Sequence, residues 1–116
     1  MKESIIKNKS FEFSLKIIEA YKSLKNNKEY EIGSQLLRCG TSIGANIEEA
    51  LAGYSSKDFT AKMSIASKEA REVNYWLRLI KESEIIKLSN INELILESEE
   101  LIKILTAIVK TSQKNN

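Results

Sequence analysis

Glu69 and Glu72 are the spacing in this chain most loaded with chemistry: on a helix they lie one turn apart on one face, where two carboxylates could share a metal ion or a proton. A dinuclear carboxylate centre in a helical bundle also needs Glu-x-x-His pairs, and the run here is Glu69-Ala70-Arg71-Glu72 in a chain with no histidine at all. An arginine beside those carboxylates would compete with any cation. A glycosidase-type acid pair would need a substrate cleft, for which no sequence signal exists. The single cysteine, Cys39, has no histidine to act as its base and reads as a small buried hydrophobe. No catalytic residue, metal or cofactor is therefore expected.

The charged residues have two other readings. Pairing two antiparallel helices about Tyr54-Ser55 sets Gly40 opposite Glu69 and Arg38 opposite the neighbourhood of Glu72, with Gln35, Ser42, Asn46 and Glu49 on the same flank. Glu69 falls roughly 60° from the centre of an apolar stripe and needs a partner, for which Arg38 is the leading candidate, with Asn46 as a hydrogen-bonding neighbour. Arg38, Asn46, Glu49, Glu69 and Glu72 thus form an expected structural polar seam. The second reading is functional. Lys57, Lys68, Arg71 and Arg78 cluster opposite that stripe with Tyr75 among them, a basic strip with an aromatic that could follow a phosphate backbone and stack on a base. An ordinary solvated helix face has a similar look, and only repetition of the strip in an oligomer would sum the contacts.

Four helices must position these groups. Proline is absent and only four glycines occur, so nothing interrupts long helices. Asn26-Asn27 breaks the first pattern, Gly53 reads as a C-cap, Ser55-Ser56-Lys57-Asp58 as a capping box, and Asn90-Ile91-Asn92-Glu93 repeats the cap-plus-carboxylate spacing. Helices are predicted near residues 4–25, 31–52, 56–83 and 90–112, and short links make neighbours antiparallel, giving an all-α, up-and-down four-helix bundle in one domain. Phe59, Met63, Ala66, Ala70, Val73, Leu77 and Ile80 alternate spacings of four and three, the pattern of a bundle core. In the second helix Ile32, Leu36, Cys39, Gly40, Ile43, Ile47 and Ala50 share a face, and Gly40 and Gly44 allow close backbone approach.

The outer helices are greasier than one bundle requires. Phe13, Ile17, Tyr21 and Leu24 make one stripe of the first helix while Phe11, Leu15 and Ile18 make another. The fourth helix spreads Ile91, Leu94, Ile95, Leu101, Ile102, Ile104, Leu105, Ile108 and Val109 over about half its circumference. Ile65, Trp76 and Leu79 flank the main stripe of the third. These surplus positions either widen a normal core or form an oligomer interface, with Phe11, Leu15, Ile18, Ile65, Trp76, Leu79, Ile95 and Ile102 the interface candidates. A formal charge of +2 is too small to argue for nucleic acid by itself. One cysteine, no apolar signal-peptide core after Met1-Lys2 and no apolar run near the roughly 18 residues that span a bilayer point to a cytoplasmic protein without a membrane partner.

Ser42-Ile43-Gly44-Ala45-Asn46-Ile47-Glu48-Glu49, Lys57-Asp58-Phe59 and Glu72-Val73-Asn74-Tyr75-Trp76-Leu77 resemble the four-helix-bundle proteins encoded within intervening sequences of bacterial 23S ribosomal RNA genes, and the likeness covers nearly the whole chain. Many members carry Pro and then Asn-Ile-Ala-Glu-Gly where this chain has Gly44 and Asn46-Ile47-Glu48-Glu49-Ala50. The resemblance implies a homo-oligomer, typically a pentameric ring. Related accessory proteins of diversity-generating retroelements are similar bundles that bind nucleic acid and a reverse transcriptase. The family name records where some genes lie and implies no ribosomal role. The expectation is a non-enzymatic assembly module that binds RNA, or alternatively a scaffold that docks a protein partner through its surplus apolar faces.

Overall fold

A computed structural model describes residues 2–116, with side chains from Ile5 onward, so Met1 lies outside it. Four helices follow in order: α1 (Lys2–Asn26), α2 (Tyr30–Leu51), α3 (Ser56–Ser83) and α4 (Ile91–Lys114). Each packs on its sequence neighbours and α4 returns to α1, with no close backbone approach across either diagonal, so the bundle is up-and-down in a rod of 45 × 20 × 20 Å. The α1–α4 seam is much the sparsest of the four.

Local chemistry sets the helix ends. After α1, the Glu29 amide bonds Leu24 O at 2.9 Å and the Lys28 amide bonds Lys25 O at 3.0 Å, a Schellman closure that puts Lys28 at φ 62°. The Asn27 side chain satisfies Ser23 O at 2.8 Å. Ser55 caps α3 as its sequence predicts, its hydroxyl accepting from the Asp58 amide at 3.0 Å. Two expected caps differ. Gly53 lies beyond the end of α2 with no positive φ, and what it provides is room: a Cβ there would sit 2.2 Å from an Asp58 carboxylate oxygen. Asn90 precedes α4 without a side-chain cap bond, and the Glu93 carboxylate, which a capping box would turn back to the Asn90 amide, pairs with Lys16 on α1 at 2.8 Å.

The predicted core stripes meet at the bundle axis. Ile17, Leu36, Ile43, Ile47, Met63, Leu77, Leu94 and Leu105 are fully buried, and burying such side chains stabilises by about 1.5–3 kcal/mol each before chain entropy is counted. Gly40 sets the α1–α2 spacing: a Cβ on it would fall 2.6 Å from Ile17 Cγ2, so only glycine admits this approach without displacing Ile17. Buried hydroxyls are satisfied. Ser98 accepts from Asn74 at 2.9 Å and donates to Ile95 O at 2.7 Å, and Thr60 bonds Ser112.

The surplus apolar residues divide. Trp76, Ile95 and Ile102 pack partly buried against the bundle's own core, the plainer of the two sequence readings, and Ile18 is half-buried. Phe11 stays 56% exposed, Leu15 48%, and Ile65 and Leu79 are exposed on α3. Leu96 at 66% is an exposed apolar side chain on α4 that the sequence reading did not single out. No described helix is long and apolar enough to cross a membrane.

Candidate nucleic-acid interface

The long helix α3 has three environments, and each decides what its charged residues can do. On the flank facing α2, Arg38 donates through Nη1 to Glu69 Oε2 at 3.0 Å and through Nη2 to Glu72, while Gln35 Oε1 accepts from Arg38 Nε at 3.3 Å. Glu72 also accepts from the Trp76 indole N–H at 3.0 Å, and that bond, followed by Arg38, holds its carboxyl below the usual carboxylate range. Glu69 is mostly covered, its side chain 17% exposed. The expected seam is present, with one partner added and one changed. Glu49 pairs with Lys62 at 2.9 Å, and the Asn46 amide donates back to Ser42 O at 2.9 Å on its own helix rather than to Glu69. These carboxylates are consumed by cations and an indole. Among the described residues no group of three or more metal-ligating side chains occurs. Cys39 is fully buried in α2, and burial, reinforced by the negative charge of Glu72, pushes its thiol up to about 12, which keeps it protonated and unreactive.

Opposite the core, Lys57, Lys68, Arg71, Tyr75 and Arg78 are all exposed along one side of α3. None of the four cations lies within ion-pair distance of a carboxylate among the described residues. Two are held in place by neutral groups. Arg71 Nη2 donates to Thr106 Oγ1 on α4 at 3.0 Å. Arg78 Nε donates to Asn74 Oδ1 at 2.8 Å, and Asn74 is in turn anchored on buried Ser98. Neutral acceptors fix the guanidinium groups without cancelling their charge.

On the flank facing α4 this strip opens into a groove of about 270 Å³ lined by Ser64, Ser67, Lys68, Arg71, Thr106, Val109, Lys110 and Gln113. Three cations, three hydroxyls and an amide line it and no carboxylate does, which is the donor set that phosphate oxygens need. The α4 contributions, Lys110, Thr106 and Gln113, were missed in sequence. Their only signal was the seven-residue spacing of Lys103 and Lys110 on one side of α4, which has no meaning until the register of α3 against α4 is known.

A second groove on the other side of α4, about 280 Å³ between α4 and α1, is lined by Asn8, Lys9, Glu12, Phe13, Glu97, Glu100 and Leu101. Here the cations are neutralised: Lys9 pairs with Glu100, and Lys16 pairs with Glu93 at 2.8 Å and Glu97 at 2.9 Å. A net charge of +2 thus conceals a bundle with one groove of unpaired cations and one whose cations are paired with carboxylates.

Among proteins of curated function none matches the chain. A crystal structure of a protein of unknown function from the S23 ribosomal protein family of Bacteroides thetaiotaomicron is 42% identical, covers 95% of this chain and 99% of that one, and superposes with a TM-score of 0.88. The family model for the 23S rRNA-intervening sequence protein matches residues 2–107, nearly the whole bundle and every residue of the polar seam and of the exposed strip. With its Asn46-Ile47, Lys57-Asp58-Phe59 and Tyr75-Trp76-Leu77 runs all inside that match, the chain belongs to the 23S rRNA-intervening sequence protein family.

Proposed function

We propose that this protein is a non-enzymatic, self-associating cytoplasmic module that binds RNA through the outward face of α3 and the α3–α4 groove. The observation that carries this reading is the carboxylate-free lining of that groove beside four cations with no ion-pair partner among the described residues. A cation already paired with a carboxylate gains little from a phosphate, whereas an unpaired one releases the phosphate's counterions and adds to binding. Arg71 and Arg78 are also oriented before any ligand arrives, which lowers the entropy cost of contact.

Self-association supports the same reading. Phe11 and Leu15, one turn apart, form an exposed apolar stripe on α1, and Ile65 and Leu79 are separate exposed apolar positions on α3, surface that further copies of the chain would cover. Copies that cover it would repeat the cationic face around the assembly, and the ring of five implied by the family resemblance would multiply weak contacts into useful affinity. The test is binding of a structured RNA as a function of salt, together with sedimentation of the protein alone. Binding that weakens steeply with salt and a sedimenting species larger than one chain are expected. Absence of any RNA complex at low salt would remove the functional reading, and a folded single chain would remove the assembly.

Leu96 and Phe11 favour a second reading, docking of a protein partner on exposed apolar surface. A captured protein that stays bound after nuclease treatment would favour it over RNA binding.

A further inference from the structure

One more groove, about 580 Å³, lies between the start of α2 and the second half of α3 and is lined by Tyr30, Glu31, Ile32, Ser34, Gln35 and Trp76. Two aromatic rings border it. Tyr30 is 57% exposed, and Trp76 has its indole N–H already bonded to Glu72, so the ring is fixed and only its π surface remains to be used. Tyr75 meets Trp76 edge to face at 5.5 Å, and Tyr75 belongs to the cationic strip, so strip and groove are continuous through two consecutive residues. Lys68 lies eight residues from Trp76, about 12 Å along the helix axis, within reach of a short strand.

The polar groups of this groove differ from those of the α3–α4 groove. Glu31 brings a carboxylate with no ion-pair partner among the described residues, which repels phosphate but accepts from N–H groups. Gln35, one turn away on the same face of α2, accepts from Arg38 through its carbonyl oxygen and so has its NH2 free to donate. A flat ring with N–H donors and a neighbouring carbonyl on one edge satisfies all of these groups at once.

From these features we infer that the α2–α3 groove receives an unpaired guanine of an RNA strand whose backbone lies on the α3 strip. The base stacks between Tyr30 and Trp76, its N1–H and N2 amine donate to Glu31, and its O6 accepts from Gln35. This rests on the RNA reading above and sharpens it: the preferred ligand is single-stranded, because bases inside a duplex have no free face or edge to offer.

Trp76 is the only tryptophan, so tryptophan fluorescence comes from a single ring that borders this groove. The full chain is titrated with a dye-labelled ten-nucleotide oligouridylate carrying one central guanosine, the same strand with adenosine in that place, and a blunt RNA duplex of equal length. The guanosine strand is expected to quench Trp76 and to bind about tenfold tighter than the duplex. Tyr30→Ala should cut single-strand affinity about tenfold and leave duplex affinity unchanged, and Glu31→Gln should abolish the preference for guanosine over adenosine. Both substitutions fall on exposed side chains, so the variants are expected to fold. Single-strand binding without quenching would overturn the groove assignment while the RNA reading stands, and equal affinity for the guanosine and adenosine strands would overturn the base assignment. Failure of all three ligands to bind would overturn the RNA reading itself, and this inference with it.

Discussion

Helix α4 borders two grooves of nearly equal size, about 280 Å³ against α1 and about 270 Å³ against α3, and they could hardly be more different electrically. Against α1, Lys9 and Lys16 are spanned by Glu93, Glu97 and Glu100, so each cation is spent on holding two helices together. Against α3, Lys68, Arg71 and Lys110 meet only hydroxyls and an amide. Cavity volume is alike in the two places, and what separates the structural seam from the proposed binding face is the presence of carboxylates across the groove. The seam between α2 and α3 obeys the same rule, since Arg38 faces both Glu69 and Glu72.

The contrast is most directly broken by reversing charge on the unpaired side. Lys68→Glu combined with Arg71→Glu is expected to lower RNA affinity on the order of 100-fold near physiological salt, and to reduce the slope of log affinity against log salt by between one and two. The melting temperature should stay within a few degrees, because neither residue has an ion pair to lose among the described residues. Filter binding and a thermal melt on the same preparation check both halves. The reciprocal substitution is Arg38→Ala. It leaves Glu69 and Glu72 facing each other without a counter-charge and is expected to cost about 1 kcal/mol, the half-exposed arginine having been discounted for screening, with RNA affinity unchanged. Lys110→Ala, by comparison, should leave the melting temperature unaltered.

Acid distinguishes the grooves further. Lys16 holds the Glu93 carboxyl below its usual range, so the stability this pair adds is fully present above the unfolded value near 4.5 and is lost as pH falls through the lowered folded value. Melting curves between pH 5 and pH 3 should fall less steeply for Glu93→Gln than for the parent chain, and identical acid limbs would show that the Lys16–Glu93 pair contributes nothing. The smallest effect is expected from Thr106→Val, which removes the acceptor that orients Arg71 while leaving its charge. RNA affinity should drop by about two- to fivefold with no change in salt slope.

Helix identity was legible in sequence because it depends on periodicities within one segment. The spacing Met63, Ala66, Ala70, Val73, Leu77, Ile80 places the stripe of α3 on the bundle axis, and Ser55 caps that helix at the expected residue. Arg38 against Glu69 and Glu72 was legible too, since a short turn fixes the register of α2 on α3. What failed to appear depends on neighbours distant in sequence. Glu93 bonds across to Lys16 instead of closing a capping box, Glu49 bonds Lys62, and only the neighbours decide between the two readings left open for Trp76, Ile95 and Ile102, which find cover in the bundle's own core. A helical wheel gives the direction of a side chain and not what stands opposite. For the same reason the strip on α3 was visible as one line of cations, while the α4 half of its groove was not.

The sparse seam between α1 and α4 also bears on how the rod assembles. Every other seam joins helices linked by a short loop and can form as a local hairpin, whereas α1 and α4 are separated by most of the chain. Closure there carries the largest loop entropy and comes last, after three hairpins are already in place, so folding should be rapid with one late zipping step. The finished bundle is then a book with three bound edges and one clasped by lysines, and any transient opening begins at the clasp.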